Sequence, residues 1–159
     1  MSLTESYILF ELDDAAYAVR SDHVQHVEML EHVTPVPNTA PAVDGVVFSR
    51  GHVYPAINLR ARFGLARRPY DSRTRLIFLK VGDRVVALIV DSAREFQRIA
   101  SDQIRPIEHT LVGVQGNHVE GVATVKGRSV LILDVGAVLT LEETTLPAGA
   151  PAASTSTVS

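Results

Sequence analysis

The stretch Gly45-Val46-Val47-Phe48-Ser49-Arg50-Gly51-His52-Val53-Tyr54-Pro55-Ala56-Ile57-Asn58-Leu59-Arg60-Ala61-Arg62-Phe63-Gly64-Leu65 decides the fold. It reads as a strand, a tight Arg50-Gly51 turn, a second strand and the opening of a short amphipathic helix that carries Leu59 and Phe63 one turn apart. The same grammar returns further on. Gly121-Val122-Ala123-Thr124-Val125-Lys126-Gly127-Arg128-Ser129-Val130-Leu131-Ile132-Leu133-Asp134-Val135-Gly136-Ala137-Val138-Leu139-Thr140-Leu141 lies under it without a gap at an offset of 76. Arg50-Gly51 falls on Lys126-Gly127, Asn58 on Asp134 and Ala61 on Ala137. Two copies of one hairpin-plus-helix unit predict a duplicated fold.

Working outward, Tyr7 to Leu12 is a strand, Asp13-Asp14 a turn and Ala16 to Val19 the antiparallel return. Ser21-Asp22 offers a capping residue for a brief helical turn, after which His26 to Met29 looks extended. Pro35, Pro37 and Pro41 exclude a long helix before Gly45. The polar segment Arg67 to Arg73, with Pro69, is the natural linker between halves. Beyond it Leu76 to Asp83 repeats Tyr7 to Asp14 at an offset of 69, and the register holds through Ala87 under Ala18 and Asp91 under Asp22. The offset then grows, so about seven additional residues fall within Ile107 to Glu120, where Gly113, Gly116 and Asn117 point to a surface loop. Each half supplies roughly five short strands, the pattern of a small closed barrel. The reading is mainly β with short helices: an N-terminal extension over 1–5, a first barrel over 6–66, a second over 73–141, and a disordered tail over 142–159, where small residues dominate. A groove between the barrels is the natural place for a partner segment.

A chain of 159 residues with 46% hydrophobic content can bury a core, and with no cysteine that core is held by packing alone. The N-terminus lacks the basic head and apolar middle of a signal peptide, and no apolar run approaches the roughly 18 residues of a spanning helix. A soluble cytoplasmic protein is expected. Net charge is −3, yet Arg60, Arg62, Arg67, Arg68, Arg73 and Arg75 crowd one segment. That segment is either a footprint for an acidic partner or a solvated helix end and linker. Few aromatics interleave with it, so no nucleic-acid stacking platform is indicated.

The catalytic inventory is thin. There is no phosphate-cradling glycine loop, no Gly-x-Ser-x-Gly elbow and no thiol nucleophile. His23 and His26 are three apart, a spacing that can hold zinc on a helix face, with His32, His52, His109 and His118 scattered elsewhere, but a closed site needs three or four ligands and no carboxylate or cysteine falls at a matching spacing. Asp13, Asp14 and Asp22 sit where turns and caps need carboxylates. Arg50, at a hairpin bend, suits either bracing a neighbouring carbonyl or gripping a partner carboxylate. No catalytic residue, metal or cofactor is assigned.

Phe10-Glu11-Leu12 through Tyr17-Ala18-Val19, Val24-Gln25-His26-Val27, Pro35-Val36-Pro37, Gly45-Val46-Val47, Arg50-Gly51, Val53-Tyr54-Pro55, Asn58-Leu59-Arg60 and Phe63-Gly64-Leu65 together resemble the CheW family. Val90-Asp91, Gln103-Ile104-Arg105-Pro106, Gly121-Val122 and Ile132-Leu133-Asp134 continue the likeness, which runs from about Ser6 to Leu141. The resemblance implies two five-stranded, SH3-like β-barrels around a shared hydrophobic core. It also implies a non-catalytic adaptor that couples the cytoplasmic tip of a methyl-accepting chemoreceptor to the regulatory domain of the CheA histidine kinase. Such a protein would be cytoplasmic, recruited to membrane-associated receptor arrays, with no nucleic-acid partner and no insertion into the membrane. A related expectation is a diverged scaffold serving another chemosensory pathway, such as pili, gliding or development.

Carried over by position, the receptor-contact region falls on Val24, His26 and Arg50, with Gly45 at a turn of restricted bulk. The chain departs from the family pattern at His26, where Glu is usual, at Phe48-Ser49, where Asn-Leu is usual, and at Asn58, where Asp is usual. A Glu facing Arg50 would form a charge-assisted pair, which a neutral histidine cannot supply.

Overall fold

The computed structural model describes residues 3–107 and 119–138, and within them eleven strands and two short helices. The order is β1 Thr4–Leu12, β2 Ala15–Arg20, β3 Val24–Met29, β4 Val43–Ser49, β5 His52–Asn58, α1 Leu59–Arg62, β6 Arg75–Val81, β7 Arg84–Val90, β8 Ser92–Ala100, β9 Ile104–Pro106, β10 Val119–Val125, β11 Arg128–Leu133 and α2 Val135–Val138. Single 3-10 turns, Ser21–His23 and Ser101–Gln103, precede β3 and β9. The surface loop expected within Ile107 to Glu120 and the tail expected over 142–159 lie largely or wholly outside the described residues, as do His109 and His118.

The repeat seen in the sequence is repeated in backbone detail. Arg50 and Lys126 have φ of 52° and 53°, and Gly51 and Gly127 have 82° and 78°. Left-handed backbone at both central residues is the turn that matches the twist of a two-residue hairpin. The ladders slip at the same place in each copy, between Val43 and Gly45 and between Val119 and Gly121. Asn58 Oδ1 accepts from the Ala61 amide at 3.2 Å, and Asp134 Oδ1 accepts from the Ala137 amide at 3.2 Å, so aligned residues cap aligned helices. Asn58→Ala is therefore expected to lower stability by about 1 kcal/mol in urea titration, more than an exposed substitution such as Glu31→Ala.

The strand pairing is not the one expected from the halves. A six-stranded sheet runs β8-β1-β2-β11-β10-β9, and a five-stranded sheet runs β3-β6-β7-β5-β4. The opening hairpin β1–β2 thus joins the second half, while its counterpart β6–β7 joins the first. Each half gives its hairpin to the other. The exchange is sealed by two equivalent parallel pairings, β2 with β11 and β7 with β5, in sheets otherwise antiparallel. The junctions explain it: only Ser21–His23 separates β2 from β3, and only Asp91 separates β7 from β8, so the chain leaves one sheet and enters the other at a corner. The boundaries 6–66 and 73–141 accordingly do not coincide with the sheets, and β1 begins at Thr4, inside the expected extension.

Neither sheet closes by strand pairing among the described residues, so the expected closed barrels are strongly built but open. The five-stranded sheet comes nearest: Thr34, beyond β3, exchanges backbone hydrogen bonds with Val46 of β4 at 2.9 and 2.8 Å. Three cores arise from period-2 alternation on strands buried on both faces. On β2, Tyr17 and Val19 enter a core that draws on both sheets, while Ala16 and Ala18 enter one private to the six-stranded sheet. On β7, Val86, Leu88 and Val90 join the shared core, while Ala87 and Ile89 join one private to the five-stranded sheet. Phe10, Ile57, Ile77 and Leu88, all fully buried, form the centre of the shared core.

A buried ionic cluster ties the exchanged hairpin to the unit that receives its partner. Arg60, 9% exposed, donates from Nη1 to Asp13 Oδ1 and Asp91 Oδ2, each at 2.7 Å, and from Nε to the Ala66 carbonyl at 2.7 Å. Burial works against the Arg60 charge, but Asp13 and Asp91 more than offset it and hold its pKa above the ordinary value. Arg68 adds a further contact to Asp91 at 3.1 Å, and Arg67 pairs with Asp44 at 2.9 Å. Tyr70 also donates to Asp44, and burial, then that hydrogen bond, pushes its phenol above the ordinary range. The basic segment is thus a strap fastened to Asp44 and Asp91, with Arg60 inside the protein rather than solvated. Asp22, read as a cap, instead accepts from Arg20 at 3.1 Å, and no side chain caps the Ser21–His23 turn.

Candidate functional site

The open edge of the five-stranded sheet, between β3 and β4, carries most of the residues assigned to partner contact. β3 alternates in exposure, with Val24, His26 and Glu28 turned inward and Gln25, Val27 and Met29 outward. The His26 ring stacks on Phe78 with centroids 4.3 Å apart, and Tyr54 meets the same Phe78 edge-on at 5.3 Å. His26 Nε2 lies 2.7 Å from Glu28 Oε2, and Ser49 of β4 donates from Oγ to the same carboxylate oxygen at 2.5 Å. Ser49 Oγ is also 3.4 Å from His26 Nε2. Three side chains thereby stitch the seam that the backbone leaves open.

Glu28 and Ser49 were not among the residues assigned from sequence. The signal was present in part, since Ser49 is a departure from the family pattern and Glu28 shares a strand face with His26. Glu28 faces inward and is satisfied by Ser49 and His26.

Arg50 comes directly after Ser49 at the tip of the β4–β5 hairpin. It is exposed, and among the described residues it forms no hydrogen bond or ion pair. The tip lifts a cation clear of the protein, which favours gripping a partner over bracing a local carbonyl. Flanking the stitched seam on the outer face are Phe48, 63% exposed, and Met29, 56% exposed, with Val27 exposed beside Met29. Exposed apolar side chains around an unpaired cation fit a protein surface better than a small-molecule pocket.

The remaining two assigned residues are placed differently. Gly45 is not at a turn but within β4, at the bulge, with φ of 149°, and a Cβ there would overlap the Thr34 carbonyl. Val24 is half-buried and packs against the core shared by the two sheets, so it is not an open groove wall. The structure thus brings His26 to the residue preceding Arg50 across the seam, places Gly45 further along the same strand, and turns Val24 inward. His23 and His26 do not face one another's partners, since His23 belongs to the 3-10 turn beside Arg20 and His26 lies over Phe78. Among the described residues no three His, Asp or Glu side chains converge on a metal-sized site, and no helix is long and apolar enough to cross a membrane.

Comparison with known proteins agrees with this architecture. The family model of the CheW-like domain matches residues 6–143. The chemotaxis protein CheW of Klebsiella aerogenes is 29% identical over 142 residues, covering 89% of this chain and 86% of that protein. The chemotaxis protein CheW of Bacillus subtilis is 31% identical over 141 residues, covering 87% and 88%. Among solved structures, the scaffolding protein TtCheW from Thermoanaerobacter tengcongensis superposes with a TM-score of 0.81 at 23% identity, covering 91% of this chain and 99% of that one, which speaks to the fold. Paired hairpin units, a twice-used bulge and cap, and a match across nearly all of the folded chain lead to one conclusion: the chain belongs to the CheW-like domain family.

Proposed function

We infer that this protein is a non-catalytic adaptor of chemotaxis-type signalling. The observation that carries the reading is the family match over residues 6–143, on a fold whose candidate site offers surface rather than reactive groups. Its partners, on this reading, are the helical cytoplasmic tip of a methyl-accepting chemoreceptor and the regulatory domain of a CheA-type histidine kinase, which would locate it in the cytoplasm at membrane-associated arrays. The receptor tip would lie along the β3–β4 seam, with Phe48, Val27 and Met29 as apolar contacts and an acidic receptor residue on Arg50.

Arg50→Glu reverses the one charge at the hairpin tip without touching a packed contact. It is expected to reduce co-sedimentation with receptor-bearing vesicles by about tenfold while circular dichroism and melting temperature stay at wild-type values. Unchanged co-sedimentation would remove Arg50 from the receptor surface. Val24 is a poor probe of the same surface, because a charged substitution there strikes the shared core.

A further inference from the structure

The β3–β4 seam has a counterpart in the second half, built on the same plan from smaller side chains. β8 meets β1 as β3 meets β6. At the offset of 69, Val24 opposite Leu79 becomes Ala93 opposite Phe10, and Glu28 opposite Leu76 becomes Gln97 opposite Tyr7. Both ladders slip between those two pairs. Since β10 stands for β4 at the offset of 76, the second seam runs from β8 to the tip of the β10–β11 hairpin.

In the first seam the His26 and Tyr54 rings pack on Phe78 with centroids 4.3 and 5.3 Å away, and Glu28 closes the gap to Ser49. In the second seam Leu9 replaces Phe78, Val130 replaces Tyr54, Ala16 replaces Val85 and Val125 replaces Ser49. Those residues line a cleft of about 190 Å³, floored by the buried Ala16, Val125 and Val130.

Three cations, Arg94, Lys126 and Arg128, complete the lining. Glu11 accepts through Oε2 from Arg94 Nη2 at 2.8 Å and from Arg128 Nη1 at 2.9 Å, and Arg128 Nη2 donates to the Asp14 carbonyl at 2.9 Å. These contacts hold both guanidinium groups in place but offset only one of the three positive charges. Lys126, exposed on the left-handed turn, forms no hydrogen bond or ion pair among the described residues.

Apolar walls under a cationic rim select a ligand with the same two halves. A cavity of about 150 Å³ lined by apolar side chains takes up benzene. A single ring therefore fits this cleft, and a carboxylate on a short arm reaches the rim. We propose that the cleft binds a small aromatic carboxylate, with its ring on Ala16, Val125 and Val130 and its carboxylate on Lys126 beside Arg94 and Arg128. The ligand supplies what the first seam carries in its own chain, an aromatic ring and the carboxylate of Glu28. It ties β8 to the β10–β11 tip as Glu28 ties β3 to β4.

Titration of the full chain with phenylacetate, followed through amide chemical shifts in two-dimensional NMR, tests the proposal. Saturable shifts are expected at Leu9, Val125, Lys126 and Val130, with a Kd of about 1 mM or tighter, and the melting temperature should rise with ligand. Acetate lacks the ring and phenethylamine reverses the charge, so each should bind about tenfold more weakly or worse. Lys126→Gln, at an exposed side chain with no partner to lose, should weaken phenylacetate about tenfold with the fold intact. Leu9→Phe combined with Val130→Tyr restores the first seam's rings and should abolish binding; should that variant fail to fold, Lys126→Gln decides. No saturable shift, equal affinity for phenethylamine, full affinity in Lys126→Gln, or shifts confined to residues away from β8 and the β10–β11 tip would overturn the proposal.

Discussion

Replacing Arg60 with alanine is expected to cost about 3–5 kcal/mol of folding stability, because it removes the buried guanidinium that Asp13 and Asp91 share and leaves the buried Asp91 carboxylate with only Arg68 and the Asp13 amide as partners. Asp91 is 9% exposed and accepts from both Arg60 and the Asp13 amide at 2.7 Å, so the loss reaches the turn of the exchanged hairpin as well. For a domain of this size the melting temperature should fall by about 10–15 °C. Arg60→Lys keeps the charge but not the planar fork that reaches Asp13, Asp91 and the Ala66 carbonyl together, so it should recover only part of the loss. Arg67→Ala is the informative control. It removes a cation from the same basic segment, but one whose side chain is 49% exposed and whose pair with Asp44 should be worth under about 1 kcal/mol. Calorimetry that ranked Arg67→Ala with Arg60→Ala would contradict the placement of Arg60 inside the fold.

Gly45→Ala is expected to cost about 2–4 kcal/mol. The backbone there has φ of 149°, and the added methyl group would collide with the Thr34 carbonyl oxygen, a backbone atom already committed to hydrogen bonding with Val46. Nothing soft is available to move aside. Gly51→Ala, at φ of 82° with nothing within 4 Å of the new methyl, should cost only about 1 kcal/mol of backbone strain. Urea titration of the pair separates the two effects, and equal costs would mean that the Thr34 segment does not press on the bulge. The result also bears on how binding data are read. A Gly45 variant that fails to bind a partner must first be shown to be folded, since Gly45 shapes the strand that carries Ser49 and leads to Arg50.

Much of this was legible in the sequence. The two offsets identified which segments are copies of which, and the copies agree down to the paired left-handed turns at Arg50-Gly51 and Lys126-Gly127 and the caps at Asn58 and Asp134. Likeness between segments does not say which of them pair. Hairpins β1–β2 and β6–β7 have the same alternation, so either could complete either half, and only the short corners at Ser21–His23 and Asp91 force the exchange. Arg60 was hidden for a different reason: it stands among arginines that do reach solvent, and nothing local marks it as the one that turns inward to Asp91. At the candidate site, strand alternation placed His26, but its pairing with Glu28 and Ser49 depends on β3 meeting β4 across an open seam, a contact with no sequence period of its own.

A coupling protein must hold two others together, and the direct measurement is a three-component sedimentation with receptor-bearing vesicles, purified CheA-type kinase and this chain. Kinase should pellet with the vesicles when the wild-type chain is present, and should remain in the supernatant when the chain is omitted or carries Arg50→Glu. Kinase that pellets equally well without the chain, or a chain that binds neither component, would contradict the account.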